Sequence, residues 1–107
     1  MNLDNGEDVK LHTLAKAARQ RNNAAQTAAL RDGTGRTHVG NSINLNSLKL
    51  DALQVALAMA LSSGTDQIEA AVVVGDKPSE PALLNIREIS SKAAIWYAKD
   101  DGSIQSL

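Results

Sequence analysis

Residues 52–61 constrain the fold of this chain more than any other segment, because they carry almost no polar side chain. Within the segment only Gln54 is polar, and with its flanks it predicts a helix from Leu48 to Ser62, with Ser47 as the N-cap. A helix that is apolar nearly all round is buried on most of its sides. We therefore expect a sheet against one side of this helix and a further element, such as another subunit, against the other.

The apolar residues after this helix predict a central β-strand. The strand is expected from Gln67 to Val74, and its second half, residues 70–74, is continuously apolar. An unbroken apolar run is typical of a strand that is covered on both faces. The helix and this strand together indicate a helix–sheet core in the second half of the chain.

Further elements flank this core. Leucine and alanine recur at helical spacing in a predicted first helix from Gly6 to Arg21, for which Asn5 is the expected N-cap. A strong turn signal at residues 32–35 joins two predicted strands into a β-hairpin. The remaining predicted elements are hairpin strands at 24–31 and 36–41, a third helix from Pro81 to about residue 90, a strand at 93–98 and a short strand at 104–107.

The order of these elements, α-β-β-α-β-α-β with a short final strand, predicts an α/β fold. Strand–helix–strand units imply parallel strands joined by crossover helices, whereas the hairpin contributes an antiparallel pair. We expect a three-layer αβα architecture, with helices on both faces of a mixed sheet of four to five strands. At 107 residues the chain is predicted to form one domain, residues 1–107.

Charge and cysteine content exclude several classes of function. The net charge is −1 and the isoelectric point is about 6.0, which gives no general attraction to nucleic acid. No apolar run is long enough to cross a membrane, and the acidic, polar N-terminus does not resemble a signal peptide, so we expect a cytoplasmic protein. The absence of cysteine excludes disulfides and thiolate chemistry.

Four local stretches carry a resemblance to a known family. Residues 28–36 are similar to its "GAAL…DGR" hairpin, and residues 44–47 to a degenerate form of its "N-x-E-N-A-S" loop. Residues 60–64 are similar to its "KAVSEG" helix ending, and residues 70–74 to its next strand. With the element order, they make the chain resemble the cytidine deaminase-like family from about Leu11 to Ala98. More narrowly, the chain resembles small actinobacterial members that lack the zinc-binding motifs.

The resemblance implies a zinc site from which this chain departs. The family reaction needs zinc held by His and Cys and a Glu that moves protons. Counted back from Gly64, the motif "Cys-Ala-Glu-Arg" falls on residues 51–54, which places Asp51 at the first ligand and Leu53 at the Glu. The second motif, "Pro-Cys-x-x-Cys-Arg", falls near residues 82–87, with Arg87 matched to its Arg and both Cys replaced. We therefore expect no metal, no cofactor and none of the usual catalytic residues.

Some of the polar side chains are still candidates for a site. The candidate ligand-binding residues are Asn44, Asn46, Asp51 and Arg87. The resemblance implies that the loop with the two asparagines contacts ribose and that Arg87 matches the Arg of the second motif, whereas Asp51 is a carboxylate at a helix start that can face a pocket. Asparagine is also common in turns, and an aspartate favours the start of a helix, so a structural role stays open for them. His38 is expected as an exposed strand residue, or else as a base beside Asp51. His12 is expected on the solvated side of the first helix.

Three hypotheses for function remain. The first is a non-catalytic, zinc-free protein that acts by homo-oligomerisation, as the dimers or tetramers of the family imply, or by binding a protein partner. The second is a module that binds a nucleoside or nucleotide in a retained pocket. The third is an enzyme with a metal-free or carboxylate–metal mechanism that uses Asp51 and His38.

Overall fold

The computed structural model describes residues 6–107, so the expected cap Asn5 lies outside the described residues. Within this range the predicted order of elements is present, with one additional short β-ribbon before the second helix. The elements are α1 (Gly6–Asn22), β1 (Gln26–Asp32), β2 (Thr37–Asn41), β3 (Ile43–Asn44), β4 (Lys49–Leu50), α2 (Ala52–Ser62), β5 (Ile68–Gly75), α3 (Glu80–Ile89), β6 (Ala94–Ala98) and β7 (Ile104–Ser106).

Five strands form one mixed sheet in the order β2-β1-β5-β6-β7. The predicted hairpin is β1–β2, and β1–β5 and β6–β7 are also antiparallel, whereas β5–β6 is parallel. These pairings make β2, β5 and β6 run in the same direction, as the strand–helix–strand units predicted. However, β2 and β5 are not neighbours, because the hairpin inserts β1 between them. The strands joined by each crossover helix are therefore parallel, with direct pairing for β5-α3-β6 and with β1 between the two strands for β2-α2-β5.

Helices cover both faces of this sheet, so the predicted three-layer αβα fold is confirmed. One buried cluster joins Leu11 of α1 to Val72 of β5, and the other joins Leu53 of α2 and Ile86 of α3 to Val73 of β5. Successive strand residues point to opposite faces, so the continuous apolar run of β5 contributes to both clusters. Within residues 6–107, none of the helices is long and apolar enough to cross a bilayer.

The start of α2 differs from the predicted start at Leu48. Lys49 and Leu50 pair with residues 43–44 in the β3–β4 ribbon, and α2 begins only at Ala52. Its N-cap is Asp51 rather than Ser47, and Gln54 Oε1 accepts a hydrogen bond from the Asp51 backbone N–H at 3.0 Å. This capping box satisfies the free backbone N–H groups at the helix start, which explains why the helix begins there.

Burial of α2 is one-sided rather than nearly complete. Leu53, Ala56 and Leu57 are buried against the sheet, whereas Met59 and Leu61 are 46% and 40% exposed. The expected cover on the outer side of the helix is not part of this chain's described residues.

Gly40 of β2 sets how closely α2 can approach the sheet. A Cβ at this position would lie 2.8 Å from the backbone nitrogen of Ala56 and 2.8 Å from Val55 Cγ1. Side chains larger than hydrogen would therefore push α2 outward. The close approach fixes the depth at which the start of α2 lies against the sheet.

Candidate functional site

One carboxylate connects the starts of α2 and α3. Asp51 Oδ1 accepts a hydrogen bond from the backbone N–H of Leu53 at 2.8 Å, which caps α2. Asp51 Oδ2 accepts from the backbone N–H of Ser79 at 2.9 Å, and Ser79 is the N-cap of α3. Because helix N-termini carry partial positive charge, both helix starts favour an anion at this point.

Gln26 of β1 completes the hydrogen bonding around this carboxylate. The residue is 4% exposed, and its Nε2 donates to Asp51 Oδ2 at 3.3 Å and to the backbone carbonyl of Asp76 at 3.0 Å. Its Oε1 accepts from the Ala52 N–H at 2.8 Å. A buried amide is stable only when both ends are paired, as they are here. Sequence reasoning missed Gln26, because a glutamine at the start of a weak strand carries no local signal.

A second side-chain pair joins the same two helices one turn further on. Gln54 Nε2 of α2 donates to Asn85 Oδ1 of α3 at 3.0 Å. The other end of the Gln54 amide is held by the Asp51 backbone N–H at 3.0 Å. Two polar side chains of α2, Asp51 at its start and Gln54, therefore tie it to α3.

An open groove of about 460 Å³ lies beside Asp51. Its polar walls include Asn44 from β3, Lys49 from β4 and Lys77 from the loop after β5. The volume lies within the range of small-ligand sites, about 300–1,000 Å³. Carboxylates and ammonium groups both face the groove, so it has no dominant charge.

The structure brings only some of the candidate ligand-binding residues together. Asn44 and Asp51 both line the groove, whereas Asn46 is exposed in the β3–β4 turn and is not part of its lining. Arg87 lies in the last turn of α3, eight residues after Ser79, which is about 12 Å along a helix. Its guanidinium donates to the backbone carbonyls of Ala93 and, at 2.8 Å, of Leu107. In this structure the hydrogen bonds of Arg87 connect the end of α3 to the C-terminal segment.

His38 is not the exposed residue that the sequence indicated. Its side chain is 11% exposed, and its Nε2 lies 2.8 Å from Oδ2 of Asp32, which is itself 1% exposed. His38 is registered opposite Leu30 on β1, whereas Asp51 contacts Gln26. Those β1 positions are four residues apart, or about 13 Å along a strand. The structure therefore does not assemble His38 and Asp51 into the pair that the enzyme hypothesis requires.

The partner of His38, Asp32, has an unusual environment. Burial acts to raise the pKa of Asp32, but hydrogen bonds from the Thr34 hydroxyl, His38 and the backbone N–H groups of Thr34 and Arg36 outweigh burial. They hold the pKa of Asp32 far below its ordinary value. Asp32 is therefore an ionised acceptor that closes the hairpin turn, and it orients His38 at the same time.

Comparison with known proteins identifies the family to which this architecture belongs. A family model of cytidine deaminase-like proteins matches residues 4–102. The chain belongs to the cytidine deaminase-like family. None of the curated proteins compared with the sequence matches it significantly.

Solved cytidine deaminases have the same fold. The Burkholderia pseudomallei enzyme aligns with a TM-score of 0.80 and 23% identity, covering 92% of this chain and 89% of that one. The Mycobacterium leprae enzyme gives 0.71 and 18%, covering 96% and 94%. The Bacillus anthracis enzyme gives 0.66 and 14%, covering 96% and 83%. At these identities the similarity establishes the fold alone.

The positions matched to the family's zinc motifs do not fit a zinc ion. Asp51 provides the one carboxylate, and both of its oxygens already accept hydrogen bonds. Leu53 is a fully buried apolar residue, and the second motif, matched to residues 82–87, has the apolar residues Leu83 and Ile86 at its two Cys positions, neither of which can bind a metal. Across residues 6–107, no group of three His, Cys, Asp or Glu side chains is arranged to hold a metal. Structural and catalytic zinc sites need three or four such ligands.

Proposed function

We propose that this chain is a zinc-free, non-catalytic member of the cytidine deaminase-like family that acts by self-association through the outer face of α2. The observation that carries the proposal is the contact between Asp51 and Ser79. It joins the start of α2, where Asp51 stands at the position matched to the first zinc ligand, to the start of α3, the helix that contains residues 82–87 matched to the second zinc motif. A carboxylate whose two oxygens both accept hydrogen bonds from the chain favours a structural role over a reactive one.

The chemistry of deamination supports the non-catalytic part of the proposal. Zinc lowers the pKa of bound water from about 16 to about 7, and so supplies hydroxide at neutral pH. The buried apolar side chain of Leu53 stands where the resemblance places the glutamate that moves protons. Loss of a general acid–base group costs about 10²–10⁴-fold in rate by itself.

The outer surface of α2 supports self-association. From Ala52 to Ser62 the helix has no charged residue, and its outward face includes Ala58, Met59 and Leu61. A mainly apolar groove of about 310 Å³ between α2 and α3, with Glu88 in its α3 wall, adjoins this face. We name the outward residues Ala58, Met59 and Leu61 the α2 face. Two-fold pairing brings the same patch of both copies together, so pairing of uncharged α2 faces buries no charge.

Analytical ultracentrifugation tests the self-association. We expect the wild-type protein to sediment at two or four times its 11.3 kDa chain mass. A Met59→Lys/Leu61→Lys variant should sediment as a monomer with an unchanged circular dichroism spectrum, because both side chains are already partly exposed. The matched control is Val9→Lys/Leu14→Lys, which introduces the same charges at exposed apolar positions of α1 on the other side of the sheet.

Two results would contradict this assignment. A wild-type protein that stays monomeric at every concentration tested excludes self-association. Equal effects of the α1 and α2 variants exclude the α2 face as the interface. For the non-catalytic part, stoichiometric zinc in the purified protein or conversion of cytidine to uridine would overturn the proposal.

A second candidate function is the binding of a nucleoside or nucleotide in the groove beside Asp51. The observation that favours it is that Asn44 and Asp51, both candidate ligand-binding residues, line one groove with Lys77. Thermal-shift measurements with nucleosides and nucleotides test it, with Asn44→Ala as the variant expected to lose any stabilisation and Asn46→Ala as the control. No observation favours an enzyme that uses Asp51 with His38. A cytoplasmic location stays a prediction.

A further inference from the structure

A second cavity lies on the opposite face of the sheet from Asp51. It has a volume of about 280 Å³ and lies beneath the C-terminal half of α1. Its floor includes Val74 of β5 and Ala98 of β6, which are register partners at the carboxyl ends of the parallel pair. Ligands of open α/β sheets bind in crevices at the carboxyl ends of the strands. We name this cavity the basic pocket, for the side chains that form its walls.

Three cationic side chains converge on the basic pocket. Lys16 and Arg19 extend from α1, and Lys99 from the turn after β6. The one acidic wall residue, Asp100, accepts from Arg19 Nη1 at 2.5 Å, and Arg19 Nε donates to the Ala24 carbonyl at 3.0 Å. Arg19 and Asp100 therefore neutralise each other and are fixed in place.

Lys16 and Lys99 leave the pocket with a net positive charge. Neither ammonium group has a carboxylate within ion-pair distance among residues 6–107. The nearby Asp101 carboxylate accepts from the hydroxyl and backbone N–H of Ser103, at 2.6 and 2.8 Å, and attracts Lys99 electrostatically without forming an ion pair with it. Two cations without an ion-pair partner beside a partly open cavity attract an anion, and more strongly than two cations spread over a flat surface.

His12 adds a hydrogen-bonding group to the same wall. It is half-buried rather than on the solvated side that the sequence indicated. Burial and the positive charge of Lys16 both lower the pKa of His12, so the imidazole is neutral at pH 7. A neutral imidazole donates one hydrogen bond and accepts another, which suits a ligand that carries hydroxyl groups as well as a negative charge.

We propose that the basic pocket binds a small phosphate monoester, with Lys16 and Lys99 on the phosphate group. A dianionic phosphate matches two unpaired ammonium groups, and lysine binds phosphate as a point charge. The volume of about 280 Å³ holds a phosphate and a small polar body, and is too small for a chain of nucleotides. The pocket is independent of the groove beside Asp51 and of the α2 face, because the sheet separates them.

Titration of the full chain with inorganic phosphate at constant ionic strength, followed by ¹H–¹⁵N NMR, tests this site. We expect saturable shifts confined to the second half of α1 and the β6–β7 turn. Lys16→Ala/Lys99→Ala should weaken phosphate binding at least about fivefold, since each exposed ionic contact contributes a modest amount. Lys10→Ala/Lys92→Ala removes the same charge from exposed lysines outside the pocket, so it should bind phosphate as the wild type does.

The results of this titration distinguish phosphate binding in the basic pocket from nonspecific attraction of anions to the protein surface. Equal weakening in both double variants, shifts spread over the surface, or unchanged binding without Lys16 and Lys99 would overturn the proposal. Small phosphate monoesters are then compared with inorganic phosphate, and we expect them to bind more tightly and to shift the His12 resonances as well. Monoesters that bind no better than phosphate would restrict the site to the free ion and overturn the assignment of its ligand. The four lysines are exposed, so unchanged thermal unfolding is expected for both variants.

Discussion

Asp51 and Ser79 link the starts of two helices that are 28 residues apart in the chain, through a 2.9 Å hydrogen bond from the Ser79 backbone N–H to Asp51 Oδ2. Each residue is also the N-cap of its own helix. The resemblance to the family places the first zinc ligand at the start of α2 and the second zinc motif in α3, at residues 82–87. Here a carboxylate joins the two helices, and the buried Gln26 amide holds the carboxylate from the sheet side. Hydrogen bonds to Asp51, rather than a metal, thus join the two helix starts to each other and to the sheet.

Removal of the Asp51 carboxylate should destabilise the protein more than loss of a helix cap alone. Asp51→Ala removes the α2 cap and leaves Gln26 Nε2 and the Ser79 N–H each without one acceptor, so we expect a loss of about 2–4 kcal/mol in the free energy of unfolding. Ser79→Ala keeps its backbone N–H on Asp51 and should lose about 1 kcal/mol. Urea denaturation measures both, and equal losses would show that the Asp51–Ser79 link contributes nothing.

Substitution of Gly40 should separate α2 from the sheet. The Cβ of Gly40→Ala would lie 2.8 Å from the Ala56 nitrogen, and a backbone atom in a helix cannot move away on its own. We expect a loss of about 1–3 kcal/mol in the free energy of unfolding. Gly6→Ala is the control, because no atom lies within 4 Å of its added Cβ, and alanine favours a helix. A Gly40→Ala variant as stable as the control would contradict this packing.

The sequence predicted the parts of this structure that depend on local patterns. The periodicity of α1, the turn before β2 and the apolar run of β5 are local, and their elements and layers are confirmed. The predicted start of α2 at Leu48 was wrong. Leu48 and Leu50 continue the apolar pattern of the helix in the sequence, but the strand pairing that keeps residues 49–50 out of the helix depends on residues 43–44. Gln26 was missed for the same reason, since its partners lie 25 and 50 residues away. Arg87 looked like a site residue, but its contact with the Leu107 carbonyl appears only in three dimensions.

The stability of the protein should be sensitive to the loss of one partner in the buried ionic cluster that Asp8 of α1 forms with the sheet. Asp8 is 4% exposed and accepts from Arg31 Nη2 at 3.0 Å and from Trp96 Nε1 at 3.2 Å. Asp8→Leu leaves the Arg31 charge without its buried partner, and we expect a loss of about 3–5 kcal/mol. Asp8→Leu/Arg31→Met removes both charges and should recover most of that loss. Fluorescence of Trp96, the chain's one tryptophan, should change in both variants, because both remove the acceptor of its indole N–H.

The matched control for the Asp8 variants is Glu69→Gln. Glu69 also pairs with Arg31, at 2.8 Å, but its side chain is 48% exposed, so we expect a loss below about 1 kcal/mol. If Glu69→Gln costs as much as Asp8→Leu, burial of the Asp8 charge is not what makes the contact important.

Asp32 should make the stability of the protein depend on pH in the acid range. Its pKa is lower in the folded protein than its ordinary value of 3.8, so below about that pH the unfolded chain binds a proton that the folded chain does not. The stabilisation is therefore complete above about pH 5 and is lost progressively as the pH falls from there through the folded pKa. Asp32→Asn should lower the free energy of unfolding at pH 7 by about 1–3 kcal/mol, because the buried amide cannot accept all four hydrogen bonds. The variant should also flatten the decline below pH 4.

Urea denaturation between pH 7 and pH 3 measures this slope, with Asp66→Asn as the control that removes an exposed carboxylate. The control should keep the wild-type decline, whereas Asp32→Asn should lose part of it. His38→Gln retains an amide N–H that can donate to Asp32, so it should weaken the effect only in part. An Asp32→Asn variant with the full wild-type decline would mean that other carboxylates set the acid stability, and that the hydrogen bonds from Thr34, Arg36 and His38 do not hold Asp32 ionised.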